Sequence, residues 1–149
     1  MSDDLTLRLA VELLILLLVA NGTPVILKRL LGDRWAFPLD GGLVLPDGRH
    51  LFGESKTLRG FFGGAAVCGL TAWLMGFEWS LGVLFGLASL AGDLISSFIK
   101  RRMTVPSSGM TLGLDQIPES LLPLWLFRQE FGISVVSVCI LSATFLVGA

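Results

Sequence analysis

The chain is poor in the side chains that most often carry acid–base and metal chemistry. It has one histidine, His50, and two cysteines, Cys68 and Cys139, in 149 residues. His50 stands alone in a loop, where a histidine is as a rule solvated, so no imidazole general base is expected. Each cysteine lies in an apolar run without a Cys or His neighbour, which gives neither a zinc-ligand pattern nor a disulfide. Charge is scarce as well. Only 15% of residues are charged against 53% apolar, and the mean hydropathy is +0.78. Soluble domains carry roughly a quarter charged residues. The net charge of −1 makes no case for nucleic acid, and no such partner is expected. A P-loop is absent too, because Gly-x4-Gly-Lys-Ser/Thr does not occur.

What the chain does have is long apolar runs. A bilayer core of about 30 Å takes roughly 20 helical residues, and five runs reach or approach that length. They are Leu5 to about Leu31, Leu58 to Met75, Trp79 to about Ile99, Leu112 to Phe127, and Ile133 to about Val147. The first is interrupted at Asn21-Gly22-Thr23-Pro24, and the fourth by Asp115 and Pro118. The first run opens on Asp3 and Asp4, not on a basic stretch, and no small-residue cleavage site follows it. It is expected to be a retained helix and not a cleaved signal. Trp79, Trp125 and Phe131 sit near span ends, as interface aromatics do.

Nine of the eleven Lys and Arg residues fall in two segments, Lys28–Arg59 and Lys100–Arg102. The positive-inside rule puts both in the cytoplasm, with the N-terminus outside. The expected fold is therefore an all-α integral membrane protein of one domain, 1–149, multi-pass in the cell membrane. It is a bundle of about five transmembrane helices with a long cytoplasmic loop, 32–57. Pro46-Asp47-Gly48 between short apolar runs suggests a small β-hairpin in that loop. Gly60 and Gly64, and Gly82 and Gly86, repeat at a spacing that lets helix backbones approach. Packing within one bundle is the expected use of that spacing, and a homodimer is the other.

Two polar elements interrupt this pattern. Gly53-Glu54-Ser55-Lys56-Thr57-Leu58-Arg59-Gly60 leads into the second span, where Ser55 or Thr57 can cap the helix. Lys56 and Arg59 share a face at the helix start, which makes an anion site or a basic anchor for lipid head groups. In the third span Asp93, Ser96, Ser97 and Lys100 stack on one face, with Arg101 adjoining. An intramembrane Asp costs at least about 2.5 kcal/mol and normally serves a polar interior. A carboxylate followed by cations can hold a metal–phosphate complex, or the pair can merely end the helix. Asp115 offers a second metal ligand facing Asp93, whereas Glu119 reads as a local cap or pair. Glu12 pairs with Arg8 near the outer face. Asn21 and Pro24 break the first span where backbone is tolerated only beside a cavity, so Asn21 is placed beside the site.

The order Asn21…Pro24, Asp40-Gly41-Gly42, Asp47-Gly48-Arg49, Phe52-Gly53, Lys56-Thr57-Leu58-Arg59-Gly60 resembles the CDP-archaeol synthase family. So does Gly92-Asp93-Leu94-Ile95-Ser96-Ser97-Phe98-Ile99-Lys100-Arg101-Arg102, followed by Leu114-Asp115-Gln116. The resemblance covers roughly Asn21 to Gln116. It implies a membrane cytidylyltransferase that uses CTP and Mg2+, converts a lipid phosphate to its CDP derivative and releases diphosphate. The implied CTP-binding set is Asn21, Gly53, Lys56, Thr57, Arg59, Ser97, Lys100 and Arg101. Lys56, Arg59, Asp93, Lys100 and Arg101 would carry catalysis, with Asp93 and Asp115 on the metal. The lipid phosphate is archaetidic-acid-like or phosphatidic-acid-like, and membrane lipids surround the protein. A small transporter or channel, or a packing subunit, remains as an alternative. The polar residues gather towards the cytoplasmic ends of the spans, which favours the enzyme.

The topology has a direct check. In a background lacking Cys68 and Cys139, Asp47→Cys should react with an impermeant thiol reagent only from the cytoplasmic face. Reaction from the outside alone would reverse the orientation.

Overall fold

A computed structural model of the chain describes residues 7–53, 55–104 and 115–148. The described residues form five helices: α1 Leu7–Leu31, α2 Leu58–Leu74, α3 Trp79–Arg102, α4 Gln116–Leu126 and α5 Val135–Gly148. Asp3, Asp4, Glu54 and the start of the fourth apolar run, from Leu112 to Leu114, lie outside the described residues. Two helices, α1 and α3, are long and apolar enough to cross a membrane. The apolar helices α2 and α5 are shorter, with 17 and 14 residues. The 11 residues of α4 rise only about 16 Å at 1.5 Å each. The bundle's outer surface is apolar: Leu18, Phe62, Leu70, Leu84, Val136 and Ile140 are all more than half exposed. A patch of that extent is stable only against lipid or another apolar partner, and the protein is a membrane protein.

The first span does not break. α1 runs through Asn21, Gly22, Thr23 and Pro24 as one helix of 25 residues. Side chains support the weak turn: Thr23 Oγ1 donates to the Val19 carbonyl at 2.6 Å and Asn21 Nδ2 to the Leu17 carbonyl at 2.9 Å. Pro24 has no N–H to offer the Ala20 carbonyl. That oxygen instead faces Gly64 of α2, where an added Cβ would lie 2.7 Å from it.

The expected hairpin is present only in a minimal form, with Leu51 N bonded to the Leu43 carbonyl at 3.1 Å across from the turn. Gly48 N bonds the Leu45 carbonyl at 2.9 Å and Leu45 N the Arg49 carbonyl at 2.8 Å. The described residues hold only two isolated bridges, Val44 with His50 and Pro38 with Thr57. Gly42 and Gly53, with φ of 79° and 99°, bend the chain away on either side before a ladder can extend.

Helix packing follows the small residues. Gly60 and Gly64 face Pro24 and Ala20 of α1, while Gly82 and Gly86 meet Cys68, Ala65 and Ala72 of α2. Both repeats thus serve contacts inside the chain. The core gathers Leu13, Leu16 and Leu17 with Cys68, Phe85, Leu124, Val138 and Leu141. Phe131 belongs to it and not to an interface belt: it is buried and packs edge-on against Phe85, 5.7 Å between centroids. α3 and α4 run antiparallel, since Ser89 bonds Glu119 and Lys100 pairs with Asp115. Their closest approach is Gly92, where a Cβ would collide with the Pro118 carbonyl and lie 2.8 Å from Glu119 Cα.

Gly92→Ala should therefore force α4 away from α3 and destabilise the bundle by about 2 kcal/mol. Gly22, with open space where its Cβ would go, should accept Ala without loss. Thermal midpoints in detergent decide it, and equal midpoints for the two variants would contradict the close approach.

Candidate active site

The loop 32–57 is organised by one carboxylate. Asp40 accepts from Gly42 N at 2.9 Å and Phe52 N at 3.1 Å, and Gly53 N adds a third bond. Burial pushes the Asp40 carboxyl up, but these three amides and the nearby His50 outweigh it and the net shift is downward. Gly41 and Gly42 follow with φ of 63° and 79°, which explains an acid followed by two glycines. The strand-like bonds Leu39 N to Lys56 O, 2.8 Å, and Leu58 N to Phe37 O, 2.9 Å, then hold Lys56 and Thr57 beside the bundle.

Two arginines fasten the loop to helix ends. Arg49 donates to the carbonyls of Arg101 at 3.4 Å and Arg102 at 2.7 Å, at the end of α3. Arg102 answers with a bond to the His50 carbonyl, 2.7 Å, and an ion pair to Asp47 at 3.2 Å. Arg59 does the same for α1, donating to the carbonyls of Gly32 and Arg34 just past its end. Asp47-Gly48-Arg49 is thus a clasp on α3.

Of the two candidates to cap α2, Thr57 does so: its hydroxyl accepts from Gly60 N at 3.2 Å. The Leu58 amide is taken by Phe37. An anion at this helix start therefore meets chiefly side chains. Lys56 Nζ reaches Asp93 Oδ2 at 2.5 Å, and Lys100 Nζ reaches Asp115 Oδ1 at 2.6 Å. The stripe on α3 is divided by burial. Ser96, Ser97 and Lys100 point inward and are 6% exposed or less, and Ser96 Oγ returns to the Asp93 carbonyl at 2.9 Å. Asp93 opens to a cavity, and Arg101 is half-buried at the end of the helix.

That cavity, about 790 Å³, lies between α1, the loop, the start of α2, α3 and α4. Asn21, Lys56, Thr57, Arg59 and Asp93 line it, whereas Gly53, Ser97, Lys100, Arg101 and Asp115 do not. Gly53 is instead buried beneath the loop. Asp115 and Asp93 are each held by a separate lysine, Lys100 near the end of α3 and Lys56 in the loop just before α2. A second groove, about 450 Å³ between Trp73 and Trp79 at the other end of α2, carries no ionisable group.

Ser89 and Lys28 escape a reading of the sequence, and Glu119 is undervalued by it. Glu119 is buried in the wall and feels the charges of Asp93, Lys56, Asp115 and Lys100 together. Ser89, one turn before Asp93, takes a bond from Asn21 Nδ2 and gives one to the Glu119 carbonyl, both 2.7 Å. Lys28 lines the rim. The available signals were spacings: Ser89 extends the α3 stripe by one turn, Glu119 follows Asp115 by one, and Lys28 follows Asn21 by two.

No family model matches the chain. The chain is 43% identical over 108 residues to the CDP-archaeol synthase of Pyrococcus abyssi, covering 65% of this chain and 61% of that protein. With that of Pyrococcus furiosus it shares 39% over 107 residues, 65% and 60%. The CDP-archaeol synthase of Saccharolobus islandicus is 36% identical over 122 residues, 78% of this chain and 70% of that protein. The chain spans about 60% of the length of the Pyrococcus proteins it matches. A solved structure of an intramembrane enzyme for archaeal membrane lipid biosynthesis superposes with a TM-score of 0.74 at 31% identity, over 93% of this chain and 88% of that one. With its ion-paired cavity at the helix ends and relatives matched across most of its length, the chain belongs to the CDP-archaeol synthase family.

Proposed function

We propose that this protein is a CTP-dependent cytidylyltransferase that moves CMP from CTP onto a lipid phosphate, giving a CDP-lipid and diphosphate. The observation that carries the reading is the Lys56–Asp93 pair, which sets a cation and a carboxylate side by side in the wall of an otherwise apolar bundle. A polyphosphate with a divalent ion would suit that pairing: Lys56 would hold phosphate oxygens and Asp93 would hold the ion. Five spans with the loop and cavity on the cytoplasmic side complete the proposal. That orientation gives CTP direct access.

In the reaction a phosphate oxygen of the lipid attacks the α-phosphorus of CTP. The bond from that phosphorus to the bridging oxygen breaks, and diphosphate leaves with the electron pair. The nucleophile is already an anion, so no general base is needed. The barrier comes from bringing two anions together, and the protein lowers it by positioning and charge neutralisation. Lys56, Thr57 and Arg59 hold the triphosphate at the start of α2. Lys100 and Arg101, with Ser97 on the same helix, act at the end of α3. Asn21 and Gly53 complete the pocket, Gly53 by shaping the backbone ahead of Lys56.

Mg2+ fits the donor set. Asp93 and Glu119 line the cavity and Asp115 lies one turn from Glu119. The described residues hold no ready group of three ligands. Mg2+ usually takes one or two carboxylates and completes its shell with substrate phosphates and water. Asp93 would be the main ligand, with Asp115 or Glu119 as the second. When bound, the ion supplies charge neutralisation on the phosphates and the leaving diphosphate.

CTP with Mg2+ should raise the thermal midpoint of the purified protein more than UTP, ATP or GTP with Mg2+. The midpoint of Asp93→Asn should stay near that of wild type without ligand, while turnover falls below about one hundredth. No preference for CTP, or wild-type turnover in Asp93→Asn, would overturn the reading.

The two lysines should divide the work. Lys56→Ala should raise the KM for CTP about tenfold with a smaller change in kcat. Lys100→Ala should mainly lower kcat. Steady-state kinetics on variants with intact thermal transitions test this, and the opposite pattern would exchange the two roles.

A further inference from the structure

Among the described residues three cations line the cavity, and two of them are committed. Lys56 neutralises Asp93, and Arg59 holds the carbonyls of Gly32 and Arg34. Lys28 is different. It lines the rim of the cavity, and its ammonium has no ion pair or hydrogen bond among the described residues. Asp33 also lines the cavity and does not pair with Lys28.

The rim beside Lys28 is also where the cavity meets the lipid-facing surface. Val25, one turn before Lys28 on α1, lines the cavity and is yet 53% exposed. Phe61 and Leu94 continue the apolar wall. An uncommitted ammonium therefore sits at the edge of an apolar opening, near the end of α1 where a bilayer keeps its phosphates. That is the form of a receptor for an amphiphile with a phosphate monoester head and aliphatic tails.

We propose that Lys28 binds the phosphate of the acceptor lipid, which enters sideways past Val25, while Lys56 serves the nucleotide. This rests on the cytidylyltransferase reading and deepens it by naming the residue that holds the second substrate. Lys28 brings the acceptor phosphate to the rim in register with the α-phosphorus. Because it is not paired, it binds without first releasing a carboxylate. A dianionic phosphate monoester gains more from it than a neutral or zwitterionic lipid does, so bulk phospholipid is a poor competitor.

Two measurements on detergent-solubilised protein decide it. Without nucleotide, archaetidic acid or phosphatidic acid should raise the thermal midpoint of wild type and not of Lys28→Met, while inorganic phosphate at the same concentration should raise neither. With CTP and Mg2+, Lys28→Met should raise the KM for the lipid phosphate about tenfold and leave the KM for CTP within twofold, and Lys28→Arg should recover most of the loss. Val25→Trp should lower use of a long-chain lipid phosphate more than that of a dihexanoyl analogue. An unchanged lipid KM, a rise in the CTP KM in its place, or stabilisation by inorganic phosphate alone would overturn the assignment. If wild type bound the lipid through Lys28 but made no CDP-lipid, the enzymatic reading would fall and the lipid site would stand.

Discussion

A carboxylate carried into an apolar bundle costs at least about 2.5 kcal/mol unless a cation or a polar wall receives it. Here Lys56 receives Asp93 and Lys100 receives Asp115. Each pair joins segments that are distant in sequence, and each fixes a level at which they meet. Lys56 belongs to the loop before α2, so pairing with α3 draws the loop down onto the bundle. Asp115 precedes α4, so pairing with Lys100 sets the start of that helix against the end of α3. Lys100 and Asp115 are the more enclosed pair. Removal of either would leave a charge in a poor solvent, a loss of about 3–5 kcal/mol in buried pairs. Lys56 and Asp93 open to the cavity, where solvent can take up the charge left behind. The cavity opens beside the Lys56–Asp93 pair.

Hydropathy and small-residue spacing made much of the scaffold legible. The boundaries of α2 and α3 follow their apolar runs, and the repeated glycines pack where close approach requires them. The break expected at Asn21–Pro24 did not occur because its remedy is partly tertiary. The Ala20 carbonyl that Pro24 leaves free faces Gly64, in another helix far along the sequence, which no local pattern announces. Phe131 read as an interface aromatic because position along a run does not reveal which way a side chain faces.

The loop was legible as motif and not as mechanism. Asp40-Gly41-Gly42 and Asp47-Gly48-Arg49 stood out, but their partners are backbone groups of Phe52, Gly53, Arg101 and Arg102. Main-chain partners leave no residue-type signature, so the pairing is invisible until the chain is folded. Glu119 was undervalued for a related reason. Read along its helix it follows Asp115 by one turn, whereas Gly92 and Ser89 of the neighbouring helix are what bring it to the wall.

Arg59 bears on the site through a field that no ion pair describes. A helix presents roughly half a negative charge at its C-terminal end, and α1 ends beside the cavity. Left bare, that end would oppose any polyanion arriving from solvent, at the range where encounter is decided. Arg59, itself in the cavity wall, sets its guanidinium on the carbonyls of Gly32 and Arg34 just past that end. The mouth then shows an approaching anion a masked dipole and a fringe of unspent positive potential. On the cytidylyltransferase reading, this one side chain would govern how often a nucleotide arrives, apart from how firmly it is held afterwards.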